Sequence, residues 1–170
     1  CYYITVNSLK LIRYSDPKLK RACTPVRKQT NWVEIRQLVD RMFKTMYMYR
    51  GFGLSAPQVG VALQIIVMDD QAGQKHAMIN PKILSSEGKI EVEESSVTFP
   101  GTSGYTERDD KIVVSFLDYE GNKRRLQVNG AASATIQQQI DHLNGILFTD
   151  RMSRLHSSKI KKKMKKKYGD

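Results

Sequence analysis

Cysteine and histidine are scarce in this sequence of 170 residues. The only cysteines are Cys1 and Cys23, and the only histidines are His76, His142 and His156. Two thiols outside any paired motif do not make a disulfide framework. We therefore expect a reducing compartment and no cysteine-rich metal site.

Long apolar runs are also missing, so the sequence predicts no transmembrane helix. The 40% of hydrophobic residues, with only 5 prolines and 11 glycines, instead favours a folded globular chain. Its length suits one domain. Because the sequence begins with Cys1 rather than methionine, we expect a processed amino terminus from which any targeting peptide has been removed.

Positive charge is concentrated at one end of the sequence. Residues 151–170 hold nine basic residues and one acidic residue, so this segment contributes +8 to the net charge of +11. The remaining 150 residues therefore carry only +3. We expect a main domain over residues 1–152 and a basic, helical tail over residues 153–170.

Hydrophobic periodicity predicts helices at the two ends and strands in the middle. Asn31 is a candidate N-cap for a helix that ends near Gly51 and packs its methionines into the core. The predicted strands cover residues 64–69, 75–79, 83–94 with a hairpin through 86–88, 105–119 and 123–128. This order predicts an α+β domain with a mainly antiparallel sheet.

A second helix is predicted to end at Gly145, and Gln138 and His142 lie four residues apart on it. At this spacing two side chains share one helix face. Two histidines so placed can hold a metal ion, with a glutamate beside the first as general base. Here the corresponding residues are Gln138 and Gln139, which leaves His142 alone. A lone histidine favours a buried, hydrogen-bonded side chain over a ligand.

Three stretches together resemble the signatures of the peptide deformylases. The segment 51–60, Gly-Phe-Gly-Leu-Ser-Ala-Pro-Gln-Val-Gly, resembles the first signature. The segment 94–101, Glu-Ser-Ser-Val-Thr-Phe-Pro-Gly, is similar to the second, where the family carries Glu-Gly-Cys-Leu-Ser. The segment 138–145 is similar to the third, where the family has His-Glu-x-x-His. The resemblance spans residues 11–152 and implies antiparallel sheets packed around a central helix that carries the third motif.

The resemblance also implies which residues form the site. Family members hold a divalent ion with one cysteine and two histidines, and a glutamate moves the proton of the bound water. These positions fall on Ser96, Gln138, His142 and Gln139, so we expect no bound metal, no cofactor and no deformylase activity. The expected vestigial pocket, including the oxyanion glutamine, the backbone donor of residue 97 and a substrate-binding arginine, consists of Gly53, Gln58, Ser96, Val97, Arg108, Gln138, Gln139 and His142.

The tail predicts a helix with a narrow apolar stripe of Ile160, Met164 and Tyr168. Three interpretations stay open: a solvated tail, a nucleic-acid contact, and binding to an anionic membrane, which the thin stripe disfavours. Because bacterial deformylases work at the ribosome exit, the resemblance favours the nucleic-acid contact. The candidate residues are Lys159, Lys161, Lys162, Lys163, Lys165, Lys166 and Lys167.

The missing site and the basic tail lead to one functional hypothesis and two alternatives. We expect a catalytically inactive structural or assembly component of an organellar ribosome, mitochondrial rather than plastid, that contacts ribosomal RNA and ribosomal proteins. The first alternative is a binding module that holds formylated nascent chains through Gln58 and Arg108. The second is an active metal-dependent deformylase.

Overall fold

The computed structural model describes residues 7–169. Cys1 and the start of the expected 1–152 domain therefore lie outside the described residues. The strands are β1 (Gly53–Ser55), β2 (Ile65–Asp69), β3 (Lys75–Ser95), β4 (Ser103–Leu117) and β5 (Lys123–Asn129). The helices are α1 (Trp32–Met48), α2 (Gly130–Leu143) and α3 (Arg154–Tyr168), with short 3₁₀ helices at Pro17–Lys20, Ala56–Val59 and Phe148–Arg151.

The five strands form one antiparallel sheet in the order β1-β2-β3-β4-β5. This arrangement confirms the predicted α+β class with antiparallel pairing. Within residues 7–169, none of the helices combines the length and apolar composition needed to span a bilayer.

The helix α1 forms as its sequence predicts. The side chain of Asn31 accepts a hydrogen bond from the Val33 N–H at 3.0 Å, which caps the first turn. Met42 and Met46 are fully buried, as expected for core methionines.

The sheet lies between α1 and α2, and the strand β2 contacts both helices through its two faces. Its side chains alternate, so Ile65 and Val67 pack in the cluster that contains α1. Ile66 and Met68 pack on the opposite face, in the cluster that contains Ile136 of α2. A strand buried on both faces carries a continuous apolar run, which is what residues 65–68 show.

The predicted hairpin through residues 86–88 is wrong. The strand β3 is continuous, and it pairs with β4 from Ile79 opposite Leu117 to Ser95 opposite Ser103. The dipeptide Asn80-Pro81 does not end the strand. It is accommodated in a bulge, seen as a shift in the register between Ile79 and Lys82. Asn80 adopts φ 53°, a left-handed conformation that asparagine tolerates.

The helix α3 packs on the main domain through its apolar stripe. Ile160 and Met164 are only 8% and 3% exposed and join a cluster with Leu19, Phe99, Leu147 and Phe148. The tail is therefore helical over Arg154–Tyr168, and its apolar stripe is buried against the main domain.

Candidate active site

The helix α2 buries an unusual number of polar side chains. Its apolar residues, such as Ile136 and Leu143, face the sheet core. Buried polar groups are almost always hydrogen-bonded, so these side chains must find partners across the fold. The buried polar residues of α2 are Ser133, Gln137, Gln138, Gln139, Asp141 and His142.

Two neighbours of His142 fix its tautomer, and its burial keeps it neutral. Its Nδ1 lies 3.2 Å from Oε1 of Gln139 and 3.3 Å from Oγ of Ser55. An amide oxygen only accepts hydrogen bonds, so Nδ1 carries the proton. Burial lowers the pKa of His142 to about 4, and the side chain is neutral at pH 7. Its buried Nε2 has no hydrogen-bond partner within residues 7–169.

Gln58 links the first motif to the second. Its Oε1 accepts hydrogen bonds from the Ser55 N–H at 2.9 Å and from Ser55 Oγ at 3.1 Å. Its Nε2 donates to Ser96 Oγ at 3.4 Å. Ser96 Oγ is in turn 2.7 Å from Thr98 Oγ1. The amide of Gln58 is thus oriented with its nitrogen toward Ser96.

Gln138 and Gln139 pack closely against the first and second motifs. Gln138 Nε2 donates to the Ser95 carbonyl at 3.1 Å. A Cβ atom on Gly53 would come within 2.9 Å of Gln139 Nε2 and 2.8 Å of Thr135 Cγ2. A larger residue at position 53 therefore requires the side chains of Thr135 and Gln139 to shift.

A cleft of about 990 Å³ opens beside these residues. Its walls are the Gly51–Gly53 segment, the end of β3 and α2. Six of the eight predicted pocket residues line it: Gly53, Gln58, Ser96, Val97, Gln138 and Gln139. His142 does not line the cleft and is joined to it through Gln139 and Ser55.

Arg108 is placed differently from the sequence-based expectation. The residue is only 4% exposed and does not line the cleft. Its guanidinium donates to both carboxylate oxygens of Glu94 and to Asp141 Oδ2 at 2.6 Å. Asp141 also accepts from the Arg151 guanidinium at 2.7 Å. These charge-assisted bonds join β3, β4, α2 and the segment after α2, which gives Arg108 a structural role.

The donor groups near the cleft do not fit the metal ion that the family resemblance implies. Within residues 7–169, no group of three or more His, Cys, Asp or Glu side chains could hold a metal ion. The three positions in question offer one imidazole nitrogen, the Ser96 hydroxyl and the Gln138 amide. This set contains no thiolate and only one imidazole, whereas zinc and related ions favour thiolate and imidazole ligands.

The tail lysines divide into two groups. Lys163 Nζ donates to the Gly101 carbonyl at 2.8 Å, and Lys161 and Lys167 lie over the rings of Tyr14 and Tyr168. The other four tail lysines are exposed and make no such contact with residues 7–169: Lys159, Lys162, Lys165 and Lys166. Nucleic-acid binding by these lysines stays a prediction.

Comparison with known proteins identifies the family. The family model of polypeptide deformylases matches residues 8–158, nearly the whole of the chain. The chain belongs to the peptide deformylase family. A peptide deformylase of Hydrogenovibrio crunogenus is 36% identical over 97% of this chain and 98% of its own length. One of Endomicrobium trichonymphae is 37% identical over 94% of this chain and 95% of its own length.

Solved peptide deformylases share the fold. The crystal structure of the Ehrlichia chaffeensis enzyme in complex with actinonin has a TM-score of 0.90 and 33% identity, covering 96% of this chain and 99% of that chain. The Legionella pneumophila enzyme has a TM-score of 0.88 and 34% identity, covering 94% of each chain. These structures confirm the deformylase-like fold.

The same relatives correct the functional expectations. They are named as enzymes over almost the full length of this chain. The expectations of a protein that is not an enzyme, of a mitochondrial ribosomal component and of an inactive binding module are therefore wrong. The compartment in which the chain works stays a prediction.

Sequence reasoning missed Ser55 and the two carboxylates that hold Arg108. Both carboxylates, Glu94 and Asp141, lie inside the stretches that carry the family resemblance. A buried arginine requires carboxylates that compensate its charge. The pairing of Arg108 with Glu94 and Asp141 could therefore have been inferred from the sequence. Ser55 also lies in such a stretch, the segment 51–60, but serines in turn-rich segments are common, so nothing pointed to its contact with His142.

Proposed function

We propose that the protein acts on the amino-terminal end of formylated peptides in the cleft beside α2, as a peptide deformylase. The observation that carries this proposal is the grouping of Gln58, Ser96 and Gln138 around one cleft. The names of the relatives support the substrate class, and the complex of the Ehrlichia enzyme supports ligand binding by this fold.

The cleft offers both kinds of hydrogen-bonding group to a peptide end. An amide nitrogen carries two N–H groups, and Gln58 uses one of them on Ser96. Its second N–H has no partner within residues 7–169 and is available to a formyl or peptide oxygen. Gln138 donates to Ser95, which leaves its Oε1 as an acceptor for a peptide N–H.

We infer further that hydrolysis by this chain is slower than in relatives that hold a metal with a cysteine and two histidines. Such an ion, when bound, activates water for attack on the formyl group. The side chains of Gln138 and Gln139 supply neither a second imidazole nor a carboxylate base. Loss of a general base lowers a rate by about 10²–10⁴. With a pKa of about 4, His142 is a weak base and does not replace it.

Binding and turnover should be measured separately. Calorimetry with a formyl-methionyl tripeptide is expected to show tighter binding than with the same tripeptide carrying a free amine. A formate-release assay, run beside the Hydrogenovibrio relative, is expected to show a rate lower by about 10²–10⁴. Equal affinity for both peptides would contradict the substrate assignment. A rate equal to that of the relative would contradict the inferred loss of rate.

Gln58→Leu provides the site-specific control. This change removes the free N–H and also the oxygen that accepts from Ser55, so we expect weaker binding of the formylated peptide, and melting curves should show that the variant is folded. Gln29→Leu, at an exposed position outside the cleft, should leave that binding unchanged.

A further inference from the structure

A second depression, separate from the cleft, is lined by basic side chains. This basic groove has a volume of about 840 Å³ and lies between the Pro25–Gln29 segment and the adjoining ends of β4 and β5. Five of its twelve lining residues are basic, against 28 of 170 in the whole chain, and none is acidic. The basic residues are Arg27, Lys28, Lys123, Arg124 and Arg125.

Most of this charge is not neutralised by the protein. Arg124 pairs with Asp118, its Nε lying 2.7 Å from Oδ2. Within residues 7–169, the other four basic side chains of the groove have no carboxylate partner. Cations gathered in a concave surface raise the local positive potential and attract anions.

The walls of the groove are fixed by the side-chain amide of Asn80 and by strand pairing. Asn80 Oδ1 accepts from the Val26 N–H at 2.8 Å, and Asn80 Nδ2 donates to the Val26 carbonyl at 2.9 Å. On the opposite wall, Lys123 pairs with Leu117 and Arg125 with Ser115. Residues two apart on a strand share one face, so the side chains of Lys123 and Arg125 lie on the same side of β5. The basic groove is therefore present before any ligand binds.

We propose that the basic groove binds the phosphate backbone of a single-stranded nucleic acid. Arginine presents a planar fork of donors that matches phosphate geometry, and two of the groove's arginines have no carboxylate partner among the described residues. The lining also offers the hydroxyl of Ser115 and the amide of Gln29 to sugar or base groups. A concave groove favours a strand over a flat bilayer surface. This site is independent of the deformylase cleft.

The test is fluorescence anisotropy with a labelled single-stranded RNA of about 12 nucleotides over a salt series. Each phosphate contact of a single strand contributes about 0.7 to the slope of log K against log salt. The double variant Lys123→Ala, Arg125→Ala should flatten that slope by about 1.4 and weaken binding roughly 25-fold at about 0.1 M salt.

Matched variants and competitors make the result specific. Lys18→Ala, Lys20→Ala removes the same charge from an exposed segment outside the groove and should change the affinity less than about 2-fold. Circular dichroism spectra and melting curves should be the same for all variants. An equal loss in both double variants, or a loss confined to Lys162→Ala, Lys165→Ala on α3, would overturn the proposal. Competition by polyglutamate or by anionic vesicles as strong as that by unlabelled RNA would also overturn it.

Discussion

The amide oxygen of Gln139 lies 3.2 Å from Nδ1 of His142. This contact assigns the imidazole proton to Nδ1, because the amide oxygen cannot donate. The lone pair of the buried Nε2 is left without a partner within residues 7–169. The first and third motifs are thus joined by neutral hydrogen bonds through Ser55, His142 and Gln139.

The buried neutral His142 makes stability depend on pH. Its pKa is about 4 in the folded protein and about 6.5 in an unfolded chain, so only the unfolded state binds the proton between these values. His142 should therefore lower the free energy of unfolding by about 2 kcal/mol when the pH falls from 7 to 5. The stabilisation is complete above pH 6.5 and is lost as the pH falls.

Urea unfolding of the parent and of His142→Gln at both pH values checks this prediction. In His142→Gln the free energy of unfolding should no longer show the decrease between pH 7 and pH 5 that His142 causes. This holds whatever the absolute stability of the variant. His156→Gln changes an exposed histidine and is the matched control, with the parental pH dependence retained. An identical pH dependence in the parent and His142→Gln would contradict the assignment.

Rebuilding the family's donor set should raise activity. The triple variant Ser96→Cys, Gln138→His, Gln139→Glu supplies a thiolate, a second imidazole four residues before His142 and a carboxylate base. We expect about one zinc or nickel ion per chain by elemental analysis and formate release faster by at least about 10² than in the parent.

Two controls test whether the whole set is needed. Gln139→Glu alone should give neither metal binding nor a comparable rate. Ser96→Cys, Gln138→Asn, Gln139→Glu lacks the second imidazole and should also stay near the parental rate. A parent that already holds one metal ion per chain would contradict the interpretation of the donor set.

Arg108→Met should destabilise the protein by about 3–5 kcal/mol. The change leaves the buried Glu94 without its guanidinium partner, and an uncompensated buried charge is costly. Arg124→Met breaks an exposed pair with Asp118 and should cost at most about 1 kcal/mol. Chemical denaturation of both variants gives the comparison. Similar losses for the two would argue against a structural role for the buried network.

Ile160→Ala or Met164→Ala should each lower the free energy of unfolding by about 2–5 kcal/mol, because both side chains fill the cluster that anchors α3. Lys162→Ala, on the exposed surface of the same helix, should change it by less than about 0.5 kcal/mol. Thermal denaturation measures all three. No change in Ile160→Ala would mean that α3 packs independently of the fold.

Local patterns predicted the elements of this fold well where one signal dominated. The cap at Asn31 and the methionines of α1 defined that helix, and the short continuous apolar run at residues 65–68 defined β2. Two predictions failed in β3: the strand does not end at Asn80-Pro81, where turn-forming residues occupy a bulge, and it does not turn at residues 86–88. The continuation of β3 depends on its pairing with β4, a contact between distant residues that sequence periodicity does not contain.

The candidate site was partly predictable for a similar reason. Gln58, Ser96 and Gln138 lie in motifs, and the structure brings them to one cleft. The position of Arg108 depends on Glu94 and Asp141, which approach it only when β3, β4 and α2 assemble. The burial of α3 likewise required knowing which apolar residues of the main domain remain uncovered without it.

The anchoring of α3 also affects how the protein is made. Its cluster joins Leu19 to Ile160 and Met164, so it cannot assemble until these late residues have been synthesised. Until then, the nascent chain leaves Phe99 and Phe148 without the helix that covers their cluster. Apolar surface exposed during synthesis promotes aggregation and attracts chaperones. Slow translation over residues 154–164 would lengthen that exposure.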